Sequence, residues 1–211
     1  MIDSAAVLPK TVAQKLRADI IAQYHAPGSP ITESAVASRF GVARPTARIA
    51  IERLVADGLL RREPHQAARV PRLSSNDVND LFTNRAIIEG AAIASLTNHG
   101  TIPAAALQAH RSLSSSSEGF AHDDIQFHRA LVAGQPSSRL TRMHELLMGE
   151  IELCIGQVQS AQLLTTNEVA DQHQGILDAI TSGDASTAER LTREHILGAR
   201  DRLFTHLNST D

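Results

Sequence analysis

The stretch PGSPITESAVASRFGVARPTARIAIERLVADGLL, residues 27–60, decides the fold. Pro27-Gly28 stops whatever precedes it, Thr32 stands where a hydroxyl caps a helix, and TESAVASRF is a short helix ended by Gly41. From about Pro45 to Asp57, Ala47, Ile51, Leu54 and Val55 fall on one helical face, and Gly58 follows as a stop. Two helices joined by a tight glycine-containing turn form a helix-turn-helix. Upstream, Val12, Leu16, Ile20 and Tyr24 recur every four residues, which predicts an amphipathic helix ending before Pro27. Downstream, LLRRE and ARVPR flank PHQA and predict a small β-hairpin. Residues 1–73 thus follow the winged helix-turn-helix plan. Its last helix enters the DNA major groove, and its hairpin reaches the adjacent backbone or minor groove.

The charge pattern points the same way. The 211 residues carry a formal net charge of −3, a total that conceals two unlike parts. Residues 1–73 hold 11 Lys/Arg against 6 Asp/Glu, and residues 74–211 hold 9 against 17. A basic head that meets an anion is joined to an acidic body. Arg44 and Arg48 share one face at the start of the third helix, with Thr46 in the same turn. Arginine forks suit guanine edges and phosphates. His65 at the hairpin tip and Arg69 on its second arm complete the candidate DNA contacts. Arg61, Arg62 and Arg72 add charge for positioning on phosphate. The plain alternative is a solvated basic face.

On these residues the head resembles the DNA-binding domain of GntR-type bacterial regulators. Pro27, Gly28, Thr32, Glu33, Gly41, Val42, Arg44, Arg48, Ala50, Leu54 and Gly58 fall in register with that family. Three departures stand out. Ala43 replaces the usual Ser or Thr, removing a hydroxyl cap that Pro45 partly offsets. Ile49 replaces the usual Glu, and the tip HQA (65–67) lacks the usual Gly. The resemblance implies a double-stranded, pseudo-palindromic operator as partner.

PRLSSND (71–77) reads as a linker into a helix start, and SLSSSSEG (112–119) as a flexible interhelical loop. From Asn76 onward the pattern is helical throughout, an antiparallel bundle with Pro103 and Pro136 at helix boundaries and SGDAS (182–186) as a turn. The expected division is a DNA-binding domain over 1–73 and a helical domain over 74–211, the whole mostly α; the resemblance to GntR-type regulators implies that the second binds an effector and dimerises. Asp124 and His128 in DDIQFHRAL project from one side of a helix and can grip one cation. His173 lies on the apolar face of HQGILDAI, and His195 follows Leu191 by one turn in LTREHILGA. Three inward histidines and an inward aspartate are expensive to bury unless something satisfies them.

The order D-x3-H, H-x2-I-x2-A-I and a later H-I resembles the FCD effector domain of the FadR subfamily. The resemblance implies an Asp/His₃ site for a divalent ion at Asp124, His128, His173 and His195. Nitrogen and oxygen donors without thiolate suit Zn or Ni first, and Mn or Fe(II) after them. Open coordination positions would take a small carboxylate effector. Arg85, on the stripe Leu81, Arg85, Ile88, Ala92, is implied as the arginine that helps hold it. The alternative for Arg85 is a surface i, i+4 pair with Glu89. His144 is expected on a helix surface, with a place beside the metal ligands as the other reading.

One cysteine, Cys154, excludes a disulfide framework and thiolate zinc modules. No apolar run approaches a membrane span, and the start MIDSAAVLPK lacks the basic and apolar segments of a signal peptide. The expectation is a cytoplasmic homodimeric transcriptional regulator with no membrane partner. The alternative is a metal-dependent hydrolase using the Asp/His₃ site, for which Glu89 and Glu152 are proton-transfer candidates that nothing in their spacing selects.

Overall fold

In the computed structural model, which describes residues 4–113 and 119–210, helix α1 (Ser4–Ile21) buries Val12, Leu16 and Ile20. Tyr24 does not continue this stripe and is 74% exposed. The helix ends at Ile21 and Gln23 turns left-handed (φ +61°), which carries the next period out of register. A short strand, β1 (Pro30–Ile31), precedes α2 (Glu33–Phe40). The Thr32 hydroxyl caps α2 by accepting from Ala35 N–H at 3.2 Å. Gly41 closes α2 at φ +63°, ψ +37°, a conformation in which a side chain's Cβ is strained. Helix α3 (Arg44–Ala56) follows at once, buries Ala47, Ala50, Ile51 and Leu54, and starts without a side-chain cap at Ala43.

The wing differs from the expected hairpin. Strand β2 (Ala68–Arg69) pairs antiparallel with β1, in the register Pro30↔Arg69 and Ile31↔Ala68. The LLRRE arm contributes a single bridge, Arg61↔Arg69. Pro64 has no N–H to donate and His65 sits at φ +62°, so the arms part after one pair. Gly28 N–H and Val70 N–H extend the β1 side instead, donating to Val70 and Ser29 carbonyls at 2.8 and 3.1 Å.

The chain divides into two compact units. The first comprises the residues up to Leu73 together with Met148–Gln157; the second comprises Ser74–Leu147 and the chain from Val158 onward. In the first, Leu153 joins the core formed by Leu16, Ile20, Ile31, Val36, Ile51, Leu54, Leu59 and Val70. Arg17 bridges Asp57 and the buried Glu152, and Arg61 pairs with Glu150. Gly149 and Gly156 allow the close approach, because a Cβ would overlap the carbonyl oxygens of Asp57 and Ile21 respectively.

The second unit is all helix among the described residues. Helix α4 (Ser75–His99) opens on a Ser74–Asp77 capping box and ends at left-handed Gly100. It is followed by α5 (Ala104–Leu113), α6 (Ala121–Gly134), α7 (Ser138–Ser160, of which Met148–Gln157 belong to the first unit), α8 (Thr166–Thr181) and α9 (Ala185–Thr210). Residues 114–118 of the expected SLSSSSEG loop lie outside the described residues. Within this unit α4 packs on α9, α6 and α8, and α5 packs on α6 and α8. Ile93, Leu96, Phe127, Leu131, Ile176, Leu177 and Ile180 make the core. Both α4, which carries Arg85 and Glu89, and α8, which carries His173, start on capping boxes.

Candidate functional site

One turn of α6 brings Asp124 and His128 inward, α8 supplies His173 and α9 supplies His195; all four side chains are buried. Three imidazole Nε2 atoms gather on one carboxylate oxygen. Asp124 Oδ1 lies 3.7 Å from His128 Nε2, 3.2 Å from His173 Nε2 and 3.3 Å from His195 Nε2. One ligand atom from each residue lies within 4.8 Å of all the others. Bonds of about 2.1 Å to a common ion put neighbouring ligand atoms roughly 3.0–3.4 Å apart, whether the geometry is octahedral or tetrahedral. Among the described residues, His128 Nε2, His173 Nε2 and Asp124 Oδ2 have no hydrogen-bond partner of good alignment. The residues present therefore fit a divalent ion, in donor type and in spacing.

A second layer lies behind the ligands. Arg85 on α4 is fully buried, and its Nε donates to Glu89 Oε1 at 2.7 Å. The Arg85–Glu89 pair is thus real but interior, not the surface pair considered from spacing alone. Arg85 Nη2 also lies 4.0 Å from Asp124 Oδ2. His144 is likewise fully buried rather than on a helix surface, and its Nε2 donates to Glu89 Oε1 at 2.9 Å. Glu89 Oε2 sits 2.6 Å from His128 Nδ1. His195 Nδ1 faces Gln172 Oε1 at 2.6 Å, and the His173 ring stacks on Phe127 with centroids 3.8 Å apart.

The electrostatics follow from this enclosure. Burial alone would raise both carboxyls. For Glu89 it is overcome by Arg85, His128 and His144, and for Asp124 by the His173 and His195 imidazoles and the charge of His128. Both stay well below the usual carboxylate range. Burial pushes His173 down to about 3, against the pull of Asp124, and lowers His128 as well. Neutral imidazoles facing an anionic oxygen are what a cation requires. Glu152, the other carboxylate considered, belongs to the first unit and pairs with Arg17.

Of the candidate DNA contacts, Arg44 and Arg48 are exposed on α3 and Thr46 is half-buried between them. Arg48 Nε donates to Glu52 at 2.8 Å. His65 is exposed in the segment before β2, and Arg69 extends from β2 with Nη1 donating to Gly28 O at 2.9 Å. Sequence reasoning passed over Gln172 and Phe127 as parts of the site, and named Glu89 only as a surface partner of Arg85 and as a proton-transfer candidate of the hydrolase alternative. Glu89 carried a signal, as an acid one turn from Arg85 on a stripe that turns out to be interior. Gln172 carried none.

Known proteins resolve the family. A model of bacterial regulatory proteins of the gntR family matches residues 8–70, and a model of the FCD domain matches residues 80–198. The chain is a GntR-family regulator with an FCD domain. This regulator is 28% identical over 196 residues to a probable D-xylose utilization operon transcriptional repressor of Paenarthrobacter nicotinovorans, covering 88% of this chain and 86% of that one. It is 27% identical to the transcriptional repressor GlaR of Escherichia coli K12 over 198 residues, 86% of this chain and 89% of that one. A crystal structure of a putative GntR regulator from Rhodococcus sp. RHA1 shares its fold, with TM-score 0.78 at 22% identity over 93% of this chain and 97% of that one. The GntR-family regulator is a DNA-binding transcription factor and not an enzyme, so the hydrolase alternative is set aside. Among the described residues no helix is long and apolar enough to cross a membrane.

Proposed function

We propose that this GntR-family regulator senses a small carboxylate through a divalent ion held in its FCD domain. Residues 1–73 bind the operator and 74–211 hold the ligand and dimerise, so that two heads meet a pseudo-palindromic site in the cytoplasm. Asp124, His128, His173 and His195 hold the ion, Zn or Ni first and Mn or Fe(II) after them. The metal supplies a Lewis-acidic anchor for an oxygen anion. Arg85, tethered by Glu89, presents the positive edge that orients the carboxylate beside Asp124. An effector shifts operator binding only as far as it favours one arrangement of the dimer over another. The convergence of three Nε2 atoms on Asp124 Oδ1 carries this reading. On the head, Arg44, Thr46 and Arg48 read the major groove, while His65 and Arg69 approach the neighbouring backbone.

Chelation and return of zinc test the site. Free zinc at about 100 times its Kd stabilises by about 2.7 kcal/mol, a rise in melting temperature of roughly 5–11 °C for a chain of this size. Asp124→Ala and His173→Ala should lose that rise, and a wild type that neither retains zinc nor gains stability from it refutes the metal reading. The head is tested with duplexes selected from a random pool: binding should fall steeply with salt, and Arg44→Ala and Arg48→Ala should abolish it. Normal binding by both variants refutes the assignment of α3.

A further inference from the structure

An imidazole ligates only through the nitrogen that lacks a proton, and the group facing its other nitrogen decides which one that is. His128 Nδ1 lies 2.6 Å from Glu89 Oε2. The contact is at ion-pair distance without hydrogen-bond alignment, and an anionic oxygen this close makes a lone pair on Nδ1 unfavourable. The proton therefore belongs on Nδ1, and the Nε2 lone pair faces Asp124 Oδ1. Glu89 is held in place from its own helix and from one other: its Oε1 accepts from Arg85 Nε on α4 and from His144 Nε2 on α7. His195 Nδ1 lies 2.6 Å from Gln172 Oε1, an amide oxygen that can only accept, so its proton too is on Nδ1. His173 is aligned differently, by the near-parallel Phe127 ring at 12°.

We propose that Glu89 and Gln172 are positioning residues of the metal centre, which fix His128 and His195 in the Nδ1–H tautomer and so keep both Nε2 atoms free to ligate. The assignment rests on the metal reading above. It makes Glu89→Gln a sharp probe, because the amide keeps the size of the carboxylate but offers one acceptor and one donor. If its oxygen stays with Arg85 and His144, its NH₂ faces His128 Nδ1 and demands a lone pair there, which moves the ring proton to Nε2. If the amide turns over, its NH₂ opposes the N–H groups of Arg85 and His144. Either arrangement works against zinc.

The test uses the full chain. Long-range ¹H–¹⁵N NMR of the metal-free protein reads each histidine tautomer, and competition with a chromophoric chelator reads zinc affinity. Wild type should show Nδ1–H at both His128 and His195. Glu89→Gln should change His128 alone and weaken zinc about 10–100-fold, the range for losing an outer partner of a ligand histidine. Gln172→Ala, at an exposed position, should release His195 alone and weaken zinc in the same direction. Unchanged tautomers, or zinc affinities within about twofold of wild type in both variants, overturn the proposal. If Glu89→Gln does not fold, Gln172→Ala decides by the same two readings. A wild type that binds no zinc instead overturns the metal site itself.

Discussion

Gly149→Ala sets two opposed and calculable effects against each other. In a free helix the change is favourable by about 1 kcal/mol, because alanine gives up less backbone entropy than glycine. At position 149, however, the added Cβ would overlap the Asp57 carbonyl oxygen, the Gly58 carbonyl carbon and the Leu59 nitrogen. All three are backbone atoms just past the end of α3, so no side chain can swing aside. Overpacking of this kind costs typically 1–3 kcal/mol, and backbone-only contacts place it at the upper end. The net is a destabilisation of about 2 kcal/mol, a fall in melting temperature of roughly 4–8 °C. Gly198→Ala is the control: it is helical and exposed, and its Cβ meets no atom within 4 Å. It should gain about 1 kcal/mol and melt roughly 2–4 °C higher. Circular dichroism melts of the two variants decide the matter by sign. A Gly149→Ala protein as stable as Gly198→Ala would refute the close packing of Met148–Gln157 in the first unit.

Ala43→Ser restores the missing hydroxyl at the N-terminus of α3, where Ala43 already has the extended conformation of a cap, and should add about 1 kcal/mol in urea titration. Phe127→Ala removes a fully buried ring stacked on His173 and should lose about 3–5 kcal/mol by calorimetry. The metal-free protein should lose stability as pH falls. His173 is lowered from 6.5 to about 3, so between those values the unfolded chain binds the proton and the folded one does not. Asp124 and Glu89, both depressed, stabilise the fold above their ordinary values of 3.8 and 4.5 and lose that contribution at lower pH. Acid titration of the metal-free chain that shows no loss below pH 6.5 would contradict the burial of His173.

Much of this was legible in the residues themselves. Thr32, Gly41 and the Ala47–Ile51–Leu54 stripe are local signals, set by capping geometry and helical period, and α2 and α3 form where those signals place them. The inward histidines were legible for the same reason, since an apolar period fixes the buried face. What failed was whatever depended on distant partners. β2 chose β1, remote in sequence, over the neighbouring arm. His144 looked like a surface residue because its partner, Glu89, lies on another helix. Tyr24 followed the period by one step too many, because periodicity does not report where the helix stops. Glu89 itself was read against a surface, where its pair with Arg85 would count for little; enclosure turned the same spacing into the hub of a polar network.

The membership of Met148–Gln157 in the first unit bears on how such a regulator can be taken apart. A gene fragment ending at Leu73 encodes all three head helices and the wing, yet it lacks Leu153 from its core and the Glu152 carboxylate that holds Arg17. The DNA reader is therefore not a detachable cassette. In a chimaera joined at the linker, the borrowed head meets another parent's α7 where this chain has glycines at 149 and 156. A side chain at either position, far downstream of the join, would overlap the backbone of the head.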